Sequence, residues 1–242
     1  MRSSEQALVI ADRVVPVRGR WAEQIRASYP DRVKGKSRPK GGSWPWFDNA
    51  VTEDRRKHAE HLAKRVGAGL SGVVAGAAAQ PVSWNVIGQA NGELGGVRSA
   101  MWCLVQTVAG FEQVALGLFE KGPNGWAAVA ECLPNEAGWP GLRDIELVEL
   151  RILRKDFRDL AEPGLIKRDG DFAIASIRNN AAPSNNRDRI RVARGLRHLI
   201  AHGVLSPSKV QKLGLIAWIN RGIDDLAIAA VAAAEKAIRT VS

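Results

Sequence analysis

The chain is short of the features that mark secreted and membrane proteins. It has two cysteines, Cys103 and Cys132, both in apolar surroundings. That argues against a disulfide framework and suits a reducing compartment. No uninterrupted apolar run reaches the ~20 residues that a membrane-spanning helix needs. The first residues, MRSSEQALVIADRVV, are interrupted by Glu5, Asp12 and Arg13, which argues against a signal peptide. Strand-like alternation of apolar and polar residues is missing as well, so helix is the expected organising element. A soluble, cytoplasmic protein with no membrane partner is the expectation.

What is present begins with charge. The 242 residues carry 35 Lys and Arg against 25 Asp and Glu, a formal net charge of +10. Arginine dominates. Such a balance favours polyanionic partners, nucleic acid above all, and says nothing about fold. The length suffices for one large domain or two small ones with a real core.

The pattern along the chain predicts helices. Residues 5–15 and 18–28 read as two short helices broken at Pro16. A basic Gly/Pro-rich loop follows at about 30–50, with Trp44, Trp46 and Phe47 inside it. Those aromatics either pin the loop to a core or stack on bases. Thr52 opens a charged helix to about Gly67, with Glu53 and Asp54 in its first turn and His58 and His61 one turn apart. Two histidines on so charged a helix read as solvated surface, and no metal site is expected. Residues 67–81 are small and apolar, and their state is open. NGELGG, ending at Gly96, reads as a turn and the main boundary.

The chain thus divides into an N-terminal helical extension, 1–95, and a helical bundle, 97–240. The bundle opens with a long apolar helix, 97–120, for which Trp102, Val105, Ala109 and Leu116 are buried candidates. A Pro/Gly loop precedes a second long helix, 142–161, with Leu142, Ile145, Val148, Ile152 and Leu160 on its apolar stripe. A short helix at 171–179 ends before AAPSNN. Ser206-Pro207 starts a last helical stretch, bent near Gly214 or Gly222. The fold class is all-α, an up-and-down bundle.

The stretch NRDRIRVARGLRHLIAHG, 186–203, is the most informative. At ~100° per residue, Val192, Ala193, Leu196, Leu199 and Ile200 form a core-facing stripe. Arg187, Arg191, Arg194, His198 and His202 share the opposite face, with Arg197 flanking it. Gly203 supplies the stop. In the sequence this face carries only cationic or proton-exchanging groups, so an anion is its natural ligand.

Three chemistries compete for it. HLIAH has the outline of a zinc-protease HExxH but lacks the glutamate that would serve as base. A face that only binds phosphates needs Arg187, Arg191 and Arg194 and no chemistry. RNA cleavage needs a base for the 2′-hydroxyl proton, an acid for the 5′-leaving oxygen and cations for the phosphorane charge. Histidine suits the proton work, with an ordinary pKa of ~6.5. Arginine suits the charge, because its fork fits phosphate and stays protonated.

Arg197, four residues, then His202, with a polar residue directly after the arginine, resembles the Arg-x(4–6)-His motif of the HEPN superfamily (higher eukaryotes and prokaryotes nucleotide-binding). The wider string RGLRHLIAHGVLS, 194–206, is similar to its Ala-His-Gly form. The motif covers about a dozen residues, and a weaker likeness extends over 97–240. The resemblance implies a HEPN-type bundle and a metal-independent endoribonuclease that leaves 2′,3′-cyclic phosphate ends. It implies a toxin or phage-defence effector, hence an antitoxin or defence-complex partner, and a homodimer whose two motifs form one composite site. No cofactor is implied. Carried over, Arg197 and His202 are the catalytic pair. His198 takes the polar position, where Asn or Asp is common, and its role stays open. Arg194, Arg191 and Arg187 are assigned to RNA phosphate from the helical wheel alone. A non-catalytic RNA- or nucleotide-binding HEPN protein and a helical protein-interaction scaffold are the alternative readings.

Overall fold

A computed structural model of the chain describes residues 65–73, 75–77, 93–119, 125–134, 138–142 and 167–241. The expected helices at 5–15 and 18–28, the loop at about 30–50 with its three aromatics, the Thr52 cap and His58 and His61 lie outside the described residues. So does the 142–161 helix beyond Leu142.

The described residues are mostly helical, with no strand among them, as the absence of alternation predicts. Residues 65–73 and 75–77 are helical and are labelled α1. α2 is Glu93–Phe119, α3 Gly125–Ala130, α4 Lys167–Arg178, α5 Asn186–Ala201, α6 Pro207–Lys212 and α7 Ile216–Val241. α2 packs chiefly on α7, and α4 on α5, while α5 also touches α2 and α7. One apolar core runs through them all, from Val66, Leu70 and Val73 of α1 to Ala233 and Ala234 of α7. The small apolar segment left open in the sequence therefore contributes to the core that the bundle helices share.

α2 starts earlier than expected. Glu93, Leu94, Gly95 and Gly96 form its first turn rather than a reverse turn. Both glycines are buried, so packing overrides their poor helix propensity. The expected buried face of this helix is also the wrong one. Trp102 is 62% exposed, Leu116 37%, Ala109 is exposed and Val105 half-buried. The buried side chains include Ala100, Cys103, Leu104, Val108, Phe111, Val114, Ala115 and Leu118. α2 is apolar most of the way round, so its sequence holds no phase. Gly110 lies on the inner face. A Cβ there would sit 2.6 Å from the Gly69 carbonyl oxygen and 2.7 Å from the Val73 nitrogen, so α1 and α2 touch backbone to backbone. The stretch Leu94–Leu118 is long and apolar enough to cross a membrane, yet most of it is buried among the other helices.

The C-terminal half follows its local signals closely. Ser206 caps α6, accepting from the Lys209 N–H at 3.3 Å, and Pro207 occupies the first turn. The break before α7 falls at Gly214, whose φ is +64°. Gly222 instead lies inside α7, against Ala193 and Trp139. The loop before residue 142 is tied down by its aromatic and backbone groups. Trp139 Nε1 donates to Asp225 at 2.7 Å, and Trp218 Nε1 to the Pro140 carbonyl at 2.8 Å. The amide of Asn180 accepts from the Leu142 N–H and donates to the Leu142 carbonyl.

Candidate functional site

α5 is phased as its stripe predicts. Asn185 caps it, its side chain accepting from the Asp188 N–H at 2.9 Å. Val192, Ala193, Leu196 and Leu199 are fully buried, and Ile200 is half-buried. The helix closes where Gly203 turns left-handed at φ +72°, and the Gly203 N–H donates to the Ile200 carbonyl. A glycine in mid-helix, Gly195, sets how closely α5 approaches α4. A Cβ at that position would collide with the Asp169 carbonyl oxygen and lie 2.7 Å from the Ala173 Cβ. That close approach brings the Asp169 carboxylate against the arginines of α5.

The polar face is therefore not purely cationic. Arg187 pairs with Glu131 at 2.7 Å, with both side chains about 60% exposed. Such a surface pair is worth little. Arg191 Nε reaches Asp169 at 3.2 Å, and its guanidinium lies over the Phe172 ring, 4.3 Å from the centroid. Arg194 Nη1 donates to Asp169 at 2.6 Å, and its Nη2 approaches Glu112 at 3.5 Å. Its guanidinium lies 4.8 Å from the Trp126 centroid. The three acids come from α2, α4 and the turn after α3. They are 22 to 82 residues from their arginines, so helical spacing could not reveal them. The three arginines assigned to RNA phosphate are those the fold already supplies with carboxylates.

The other three assigned residues differ. No described carboxylate pairs with Arg197. Its Nε is buried without a hydrogen-bond partner, and its Nη1 lies 3.2 Å from His198 Nδ1. His198 is half-buried, and its pKa is lowered. Burial is the largest cause, then the positive charges of Arg197 and Arg194, while Glu112 and Asp169 oppose the shift. His202 is exposed, one turn further on, and its backbone N–H closes the helix on the His198 carbonyl at 3.1 Å. Arg197, His198 and His202 thus lie at the C-terminal end of α5, with Arg194 and its acids close enough to act on the His198 ring and Arg187 and Arg191 further up the helix. Among the described residues no three His, Cys, Asp or Glu side chains gather around a common point.

One functional-looking residue escaped the sequence. Arg189 is 3% exposed and forms a two-pronged pair with Asp225, at 2.8 Å from Nε and 2.7 Å from Nη2. Trp139 donates to the same carboxylate, and Arg221 lies 3.4 Å from it. Burial pushes the Asp225 carboxyl up, and the hydrogen bonds from Arg189 and Trp139 and the charge of Arg221 oppose this. A signal was present. Arg189 falls on the apolar stripe, three residues before Val192 and four before Ala193. Asp225 lies in the Ala- and Leu-rich stripe of α7. A charge on each of two core-facing stripes implies that they meet.

No protein-family model, no curated protein and no solved structure matches this chain.

Proposed function

We propose that this chain is a metal-independent endoribonuclease of HEPN type, acting on RNA in the cytoplasm as a toxin or phage-defence effector. The observation that carries the reading is Arg197. It is the arginine of the α5 polar face for which no described carboxylate compensates, and it stands beside His198 with His202 one turn on. An uncompensated guanidinium next to two imidazoles suits a phosphate whose charge grows during reaction.

In the proposed reaction a histidine takes the 2′-hydroxyl proton, and the 2′-oxygen forms a bond to phosphorus. The bond from phosphorus to the 5′-oxygen breaks, and that oxygen leaves with a proton from an acid. The products are a 2′,3′-cyclic phosphate and a 5′-hydroxyl. One chain offers one exposed histidine at the site. A homodimer with a composite site would place two copies of His202 about one phosphate, as base and acid. Arg197 would hold the non-bridging oxygens. Exposure of His202 suits that part, because a second copy and a substrate must both reach it.

The test is cleavage of a mixture of transfer and messenger RNA in excess EDTA by wild type, Arg197→Ala and His202→Ala, with product ends analysed. Cyclic phosphates from wild type and loss in both variants are expected. Cleavage that persists in His202→Ala would overturn the assignment. A single exposed histidine at the site of one chain favours a second reading, in which the face serves binding alone. That reading expects salt-sensitive RNA binding without cleavage.

A further inference from the structure

The two histidines of the site stand in different circumstances, and the Arg197–His198 contact separates their roles. Arginine has five N–H donors and no acceptor, so across the 3.2 Å contact the guanidinium donates and Nδ1 of His198 accepts. An Nδ1 that accepts carries no proton. The ring is then neutral with its proton on Nε2. We propose that Arg197 locks His198 in the Nε2–H tautomer, making His198 a fixed hydrogen-bond donor to a phosphate oxygen and leaving proton transfer to His202.

The chemistry follows from counting lone pairs. In neutral imidazole one nitrogen donates and the other accepts. With the acceptor engaged by Arg197, His198 has no lone pair for a substrate proton. It could take one only by breaking the bond to Arg197 and placing a second cation against that guanidinium. The charged groups facing the ring are Arg197 and Arg194 of α5, Glu112 of α2 and Asp169 of α4. Both acids are already within 3.5 Å of Arg194, so their charge is shared. The depressed pKa of His198 agrees with a ring held neutral. Its Nε2 takes no hydrogen bond with a described residue, and the ring is only half-buried, so that N–H is left for an anion. Arg197 is on this account a positioning residue for His198 as well as a phosphate ligand. The identity of the ligand rests on the ribonuclease reading; the tautomer does not.

The experiment uses the full chain labelled with nitrogen-15. The ring spectra of its four histidines are followed against pH, with His198 assigned by its loss in His198→Gln. Nδ1 of His198 should show the shift of an unprotonated nitrogen and Nε2 that of a protonated one. Arg197→Met should release the ring to an ordinary mixture and raise its pKa, with the His202 signals in place. A proton on Nδ1, or a ring indifferent to Arg197→Met, overturns the lock. An uncleavable 2′-O-methyl RNA oligonucleotide should then shift the His198 Nε2 resonance. No shift on binding overturns the donor role, whether or not the protein cuts RNA. If it does cut, one lost donor should slow it about 100- to 1,000-fold in His198→Leu. His198→Gln, whose amide N–H stands near the Nε2 position, should recover most of that loss. Equal loss in both variants, with a changed pH profile, would mean that His198 transfers the proton.

Discussion

Arg189 and Arg197 lie eight residues apart on one helix and stand in opposite electrostatic circumstances. Arg189 is buried, and its carboxylate partner Asp225 is shared with Trp139 and Arg221. Arg197 has no described carboxylate and shares one nitrogen with a histidine. Between them Arg191 and Arg194 meet a carboxylate and an aromatic ring each. Arg187, Arg189, Arg191 and Arg194 thus each meet a carboxylate, and Arg197 meets none among the described residues. The comparison teaches that arginine content does not locate a site. What singles out a candidate is the arginine for which the described residues supply no counter-charge.

The largest test of that contrast is to remove one charge at each end. Asp225→Ala leaves Arg189 buried and unpaired, so a loss of about 3–5 kcal/mol in unfolding free energy is expected. Arg197→Ala leaves no buried charge unpaired, only a half-buried neutral ring nitrogen without its donor, and a change of about 1 kcal/mol or less is expected. Chemical denaturation of both variants reads the difference. Equal losses would mean that Arg197 is structural and would remove the main support for its assignment.

A smaller effect is expected at Gly195. In Gly195→Ala the new methyl meets the Asp169 carbonyl and the Ala173 Cβ. Overpacking of about 1–3 kcal/mol should outweigh the roughly 1 kcal/mol that alanine contributes as a better helix former. The midpoint of unfolding should therefore fall. A rise would show that α4 and α5 can part without penalty.

Asp169→Asn sharpens the comparison by moving Arg194 towards the condition of Arg197. Arg194 would keep only Glu112, at 3.5 Å. Affinity for single-stranded RNA should increase. If Arg194 gains one phosphate contact, the slope of log affinity against log salt should steepen by about 0.7. An unchanged slope would mean that the arginine stays on its ring and away from RNA.

The smallest effect is on pH. The His198 pKa is lower in the fold than the ordinary value of ~6.5. Between those two values the unfolded chain binds a proton that the folded chain does not. Stability should therefore be fully present above about pH 6.5, fall as pH drops through it, and level off below the folded-state pKa. Arg197→Ala should flatten the fall only in part, because burial is the larger cause. Unfolding midpoints at about pH 5 and pH 7.5 measure it, the other titrating groups being common to both proteins.

Much of α5 was legible beforehand. Its buried stripe, its start beside Asn185 and its end at Gly203 all follow from contacts within a few residues. The same holds for Ser206-Pro207 and Gly214. α2 was legible as a helix and illegible as a surface. Trp102 and Leu116 are as apolar as Phe111 and Leu118, and only packing against α1 and α7, with close contacts such as Gly110–Gly69, puts the second pair inward. The candidate site was half legible. Arg197, His198 and His202 are drawn together by helical spacing alone, whereas Glu112, Glu131 and Asp169 approach the arginines from elsewhere in the chain.

The amino-acid sequence by itself determined that this is a helical protein with a net positive charge, where several of its helices stop, and that one helix carries arginines and histidines opposite an apolar stripe. Those properties depend on backbone hydrogen bonding and on neighbours within one or two turns, and such neighbours are always present in the sequence. The tertiary structure alone decided which cations are neutralised and which apolar face of α2 is buried. Charge compensation acts over a few ångströms of space, and residues far apart in the chain come within that distance only once α2, α4, α5 and α7 have packed.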